Sequence, residues 1–359
     1  MNLTINTAKL QEMVSKVIRG AGNNKLLPIT CMLGIDLSDN VFTLETTDGV
    51  NYLFISDDVS GDDFEVTVYA DTFAKLISRM TCENVSMTLT DKFLEINGNG
   101  TYKVDLPFDE NGQIVKFPNP TLNKNFVSVK DSLYTSTVNM ILNSVKPALA
   151  VTTEAPQYTA YWVGDMVVAT DSFKIAGYEM SVFEEPRLIS AQTMELLSIT
   201  SSPEFSVLVN ADDDTEILFN SNDCQVFTKL VSGIEDFSID AIKGLLASEF
   251  VSSCEVSKVQ LLQLLDRLSL FVRPFDDGNI NMVFTNEGIV ISSLANSGSE
   301  LIPYSTINDF ADFSCSVNIN LLQSQVKSNI NDLVKIYFGK PESIKIKDGK
   351  ITKIVALNE

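Results

Sequence analysis

"VVATDSFKIAGYEM", Val167 to Met180, runs from small alternating apolar residues into Thr170-Asp171 and then presents Phe173, Lys174 and Ile175 in succession. An earlier stretch, "LETTDGVNYLF" from Leu44 to Phe54, has nearly the same shape. In each, a period-two strand enters a tight turn at an Asp whose carboxylate can accept hydrogen bonds from backbone amides beyond it. Asp171 therefore reads as a turn residue, since neither a second carboxylate nor a histidine stands beside it to make it catalytic. Such an echo suggests an internal repeat, and a missed repeat misassigns the whole fold.

Working outward, three hairpin-like stretches share one pattern: "KFLEINGNGTYKVDLP" (Lys92 to Pro107), "EILFNSNDCQVFTKLV" (Glu216 to Val231) and "SIKIKDGKITKIVALN" (Ser343 to Asn358). Each is an alternating strand, a short Asn/Asp/Gly turn and a second alternating strand, and their turns recur about every 125 residues. Upstream of each come a short amphipathic helix and a strand: "ADTFAKLISRM" then "VSMTLT", "SAQTMELLSIT" then "FSVLV", "NINLLQSQVKS" then "LVKIYF". The first halves of the units repeat the theme. "TAKLQEMVSKVIRG" sets Leu10, Met13, Val14, Val17 and Ile18 on one helical stripe, and "KDSLYTSTVNMILNSVK" and "SKVQLLQLLDRLSLF" open the other two units with similar stripes. The expectation is an α+β chain of six helix-plus-strand half-units, paired into domains at residues 1–120, 127–242 and 248–359, with joints near "KFPNPTLN" and "DAIKGLLASEF".

Composition narrows the function. No run of eighteen apolar residues exists and the first residues lack a signal-peptide pattern, so the expected location is the cytoplasm, away from any membrane. The five cysteines are scattered without CxxC spacing and the chain has no histidine, which removes the usual general base and the commonest metal ligand. Neither an enzyme nor a cofactor or metal is expected. "NADDDTE" reads as a solvated hairpin loop, and "GNG" and "GAG" as turns without a dinucleotide or Walker sequence. A formal charge of −21 repels nucleic acid at long range but leaves room for local basic patches.

At this point the chain resembles the bacterial-type DNA sliding clamps, the beta subunits of replicative DNA polymerase III. The matching features are "LLPITCMLGIDL" after the first helix, "TTDG" in the first unit, "ATDSFKIA" in the second, "FPNP" and the C-terminal "KIVALN". Where that family has Gly-His-Arg-Leu after Thr-Asp, this chain has Ser172-Phe173-Lys174-Ile175, and the usual Met-Pro-Met-Arg ending is missing, as in a divergent member of viral or cellular origin.

The resemblance implies a DNA-clamp fold of three similar domains, closed into a ring by two copies meeting head to tail, which leaves no open sheet edges. By position, Tyr102 and Val104 of one copy would face Leu270 and Phe271 of the other, unless these last two merely finish a core stripe. Helices would line the hole and hold duplex phosphates without reading bases, through Lys16, Arg19, Lys25, Lys75, Arg79, Lys146, Lys258, Arg267 and Lys327. Few acids are expected on those helical faces. An apolar cleft receiving short hydrophobic peptides of the polymerase and clamp loader would be walled by Thr170, Ser172, Phe173, Lys174 and Ile175, by Ile354, Val355, Ala356 and Leu357, and by Ile242. Two rivals remain beside the clamp: an acidic oligomeric structural repeat protein that ignores DNA, and a multidomain hydrolase working with carboxylates alone.

Overall fold

The computed structural model describes residues 2–152, 154–273 and 276–358. Within them the chain falls into two compact units, Met1–Val138 with Gln192–Leu230, and Asn139–Ala191 with Val231–Glu359.

The first unit holds an eight-stranded antiparallel sheet, in spatial order Phe64–Tyr69, Met32–Ser38, Val41–Thr47, Tyr52–Asp58, Cys224–Lys229, Asp213–Asn220, Glu204–Asn210 and Phe126–Tyr134. A four-stranded sheet of Asn2–Asn6, Asn84–Leu89, Phe93–Asn97 and Thr101–Asp105 accompanies it. Its helices are α1 (Thr7–Val17), α2 (Ala70–Ile77), α3 (Thr135–Met140) up to Val138 and α4 (Ala191–Leu197) from Gln192, the remaining residues of α3 and α4 belonging to the second unit. Helix α1 starts where the Asn6 carboxamide oxygen accepts hydrogen bonds from the amides of Ala8 and Lys9 at 3.1 and 3.3 Å, and it buries Leu10, Met13, Val14 and Val17.

The second unit repeats that strand order. Its large sheet runs Arg187–Ser190, Ala160–Val163, Val167–Thr170, Lys174–Tyr178, Ile351–Ala356, Ser343–Asp348, Leu333–Phe338 and Ser252–Ser257, with a ninth short strand, Thr306–Asn308, added at the edge. The smaller sheet is Ser299–Pro303, Gly288–Ser293, Asn279–Phe284 and Phe313–Asn318. Helices α5 (Ile239–Ala247), α6 (Lys258–Ser269) and α7 (Ile319–Lys327) belong here, the last two capped by Ser257 and Asn318. One core joins Leu261, Leu264, Leu265 and Leu268 of α6 and Leu322 and Val326 of α7 to Val334, Ile336, Ile344, Ile346 and Val355.

All three hairpins form, and each is preceded by the expected helix and strand. Three local expectations change. Helix α1 stops at Val17, and Ile18 opens a 3₁₀ turn. The first part of "KDSLYTSTVNMILNSVK" is strand through Tyr134, because it pairs with Glu204–Asn210; after α3 the chain widens into a π turn over Ile141–Val145. The joint "DAIKGLLASEF" is largely helix α5, held down by Ile242 and Leu246.

Candidate functional site

The turn at Asp171 is built from its own side chains. Asp171 Oδ1 accepts from the amides of Phe173 and Lys174 at 3.0 and 2.9 Å, and Thr170 Oγ1 accepts from the Ser172 amide at 3.1 Å while donating to the Lys174 carbonyl at 2.9 Å. Ser172 takes φ +77°, a left-handed value that few residues other than glycine adopt. The loop is thus fixed, and it lifts Phe173 to 63% exposure. Lys174 folds back, its ammonium 3.4 Å from Asp171.

From the turn the chain enters Lys174–Tyr178, which pairs with the C-terminal strand in the register Lys174↔Val355, Ile175↔Ile354. The Ala356 amide donates to the Phe173 carbonyl at 2.8 Å, so the last strand grips the turn itself. Ile175, Ile242 and Ile354 come together in one apolar cluster with Trp162, Phe237 and Leu246. Strand alternation sends Val355 to the opposite side, fully buried in the α6/α7 core, and Leu357 packs on that same core. Of the named wall residues, Ser172 and Phe173 are exposed, Lys174, Ala356 and Leu357 are half-buried, and Thr170, Ile175, Ile242, Ile354 and Val355 are buried. The sequence reading missed Leu246 and the breadth of α5. Ile239, Ile242 and Leu246 at spacings of three and four carry that signal, but Gly244 obscured it.

Behind the last strand, Lys353 is fully buried. Its ammonium donates to the Gln325 carbonyl at 2.9 Å and to Ser328 Oγ at 2.8 Å, and burial pushes its pKa down to about 8. The strand bearing Ile354 is thereby tied to the C-terminal end of α7.

The basic candidates divide. Arg19, Lys25, Lys75, Arg79, Lys146, Arg267 and Lys327 are exposed, and Lys16 and Lys258 half-buried. Lys16 is engaged by Glu12 at 2.8 Å, Asp223 at 3.6 Å and Ser201 Oγ at 2.9 Å, Lys75 by Asp71 at 2.8 Å, and Arg267 by both carboxylate oxygens of Glu300 at 2.9 and 2.7 Å. Lys258 donates to the Asn329 carbonyl. Acids therefore do stand on these helices: Glu12 and Asp71 each sit one turn before the lysine they hold. Arg19, Lys25, Arg79 and Lys327 have no carboxylate at ion-pairing distance among the described residues. Arg19 borders a recess with Gln192, Glu195 and Ile199.

Leu270 and Phe271 lie past the end of α6 at 81% and 47% exposure, so they do not finish a core stripe. Tyr102 is 39% exposed, whereas Val104 is buried in its own unit. Among the described residues, no group of three or more acids and cysteines is placed to hold a metal ion, and no helix is long and apolar enough to cross a membrane.

No family model matches this sequence, and no curated protein matches it. Solved structures do. The beta subunit of the DNA polymerase of Streptococcus pyogenes superposes with a TM-score of 0.87 at 16% identity over 100% of both chains. The DNA polymerase sliding clamp of Bacillus subtilis gives 0.83 at 17% and the DNA polymerase III beta subunit of Thermotoga maritima 0.82 at 16%, each over 100% of this chain and 99% of the other. The chain has the fold of these proteins from end to end.

Proposed function

We propose that this chain, sharing the fold of bacterial polymerase beta subunits along its whole length, is a DNA sliding clamp without catalytic activity. Residues 1–120, 127–242 and 248–359 act as three clamp domains, and two copies close head to tail around duplex DNA. What carries the reading is the full-length correspondence at TM-score 0.87, because a likeness spanning every half-unit supports the whole architecture rather than one module. The nine basic residues Lys16, Arg19, Lys25, Lys75, Arg79, Lys146, Lys258, Arg267 and Lys327 serve as phosphate contacts, with Lys16, Lys75, Lys258 and Arg267 weakened by their present partners. So few contacts give weak, salt-sensitive binding, which suits a ring kept on DNA by topology. Leu270, Phe271 and Tyr102 supply the seam between copies, while Val104, buried at 4% exposure, stays in its own core.

The turn at Asp171, helix α5 and the C-terminal strand form the docking cleft for hydrophobic peptides of the polymerase and loader. Phe173 is its exposed rim, and Ile175, Ile242 and Ile354 lie beneath. One leucine-sized anchor contributes roughly 1.5–3 kcal/mol, so a peptide alone binds weakly and partners exchange.

The test is retention on DNA. Loaded on a nicked circle, the protein stays bound and leaves when the circle is cut, and its mass in solution is near twice 39.5 kDa. Equal loss from circular and linear DNA, or a strict monomer, refutes the ring.

A further inference from the structure

Cations on this acidic surface are commonly matched: Lys9, Lys75, Lys116 and Lys243 each hold a carboxylate within 3.3 Å. One face of the nine-stranded sheet departs from that pattern. Its register sets Lys335 beside Lys347 and Tyr337 beside Lys345. Because Val334, Ile336, Ile344 and Ile346 turn into the helix-covered core, those four side chains share the opposite face. Lys340 and Phe250 extend it. The Lys345 ammonium lies 5.2 Å from the Tyr337 ring centroid and 5.0 Å from that of Phe250, Lys340 lies 5.1 Å from Phe250, and Lys335 lies 5.4 Å from Tyr337. None of these four lysines has a carboxylate at ion-pairing distance among the described residues. Burial, followed by the charges of Lys347 and Lys340, holds Lys345 below the usual lysine pKa despite the nearby charge of Glu249. An open basin of about 570 Å³ lies on the same face, bordered by Lys335, Tyr337 and Lys347 and also by Glu255 and Asp332.

We propose that this lysine and aromatic face binds single-stranded nucleic acid through its backbone. Ammonium groups suit phosphates as point charges, and on a chain of formal charge −21 a polyanion is favoured only where cations without carboxylate partners cluster, as these four lysines do. Once the lysines move from ring to phosphate, Tyr337 and Phe250 offer faces on which bases stack without regard to sequence. A carboxylate-rich peptide would match the charges but leave both rings unused. This face makes no use of ring closure, so the inference stands apart from the clamp reading.

The measurement is fluorescence anisotropy of a labelled oligothymidine 20-mer with the full chain over a salt series. Four phosphate contacts give a slope of log affinity against log salt of about −2.8, and Lys335→Gln with Lys347→Gln flattens it to about −1.4 while weakening binding about tenfold at low salt. Tyr337→Leu weakens binding several-fold and leaves the slope unchanged. Lys345 is left intact because its ammonium also holds the Ser248 carbonyl at 2.6 Å. Lys116→Gln, which removes a surface lysine already paired with Glu65, leaves oligothymidine binding as it was. Unchanged binding by the Lys335/Lys347 variant, with melting temperature preserved, overturns the proposal. So does displacement of the oligonucleotide by oligoglutamate at equal charge, which would reassign the face to an acidic peptide.

Discussion

The turns at Asp48 and Asp171 are the same object placed in different surroundings. Asp48 Oδ1 accepts from the amides of Val50 and Asn51 at 2.9 and 2.7 Å, and Thr47 Oγ1 accepts from the Gly49 amide at 2.9 Å while donating to the Asn51 carbonyl at 2.7 Å. Each of these bonds has its counterpart at Asp171. Gly49 has φ +100° where Ser172 has +77°, and Val50 is exposed where Phe173 is exposed. The fourth position differs. Asn51 is buried at 2% exposure, giving its Nδ2 to Asp48 at 2.8 Å and accepting from Thr193 and Thr228 hydroxyls, both at 2.8 Å. Lys174, in the matching place, only leans on its own Asp. One copy of the turn is locked into the protein by a polar hub, while the other keeps its rim open. A repeat can thus keep its backbone and exchange a structural duty for a binding surface through one side chain.

The largest expected effect breaks the locked copy. Asn51→Ala takes from two buried hydroxyls their shared acceptor and from Asp48 its side-chain donor, and should cost about 2 kcal/mol in a urea melt; a loss below about 0.5 kcal/mol would show that the hub is not what fixes this turn. Next comes Glu216, in the hairpin beside the turn's partner strand, whose side chain is 6% exposed. Burial alone would raise its pKa, but bonds from Lys124, Asn210 and Lys229 overcome that and bring it to about 2. Its folded pKa being depressed, the stabilisation is present above the unfolded value near 4.5 and disappears as pH falls toward 2. Glu216→Gln should cost about 2 kcal/mol at pH 7, allowing for screening near the surface, and should flatten acid unfolding between those values.

On the open copy the effect moves from stability to binding. Phe173→Ala should leave the melting temperature in place and weaken a hydrophobic clamp-binding peptide about tenfold by calorimetry, whereas Val50→Ala should change neither. Smallest is Lys174→Ala, expected within about 1 kcal/mol of the parent: its side chain is only 13% exposed, but Asp171 keeps both of its amide donors when the ammonium is removed. A large loss there would make the two turns alike after all.

Much of this was legible in the sequence because it is local. The Thr-Asp turns, the three hairpins and the capped stripe of α1 each follow from residues within a few positions of one another. What escaped depends on distant partners. Nothing near Lys16 announces Asp223 or Ser201 as its companions, and residues 130–134 look helical until Glu204–Asn210 claims them as strand. Val355 and Ile354 read as one apolar wall, yet the pleat divides them between two cores.

The pairing of Lys174–Tyr178 with Ile351–Ala356 also sets a timetable. During synthesis the earlier strand is finished long before its neighbour leaves the ribosome, and at roughly 5–20 residues per second the wait is about ten to thirty-five seconds. For that interval a central strand offers bare hydrogen-bonding groups to any passing chain, so production of this protein at speed or in crowded cells should depend on chaperones that cover it.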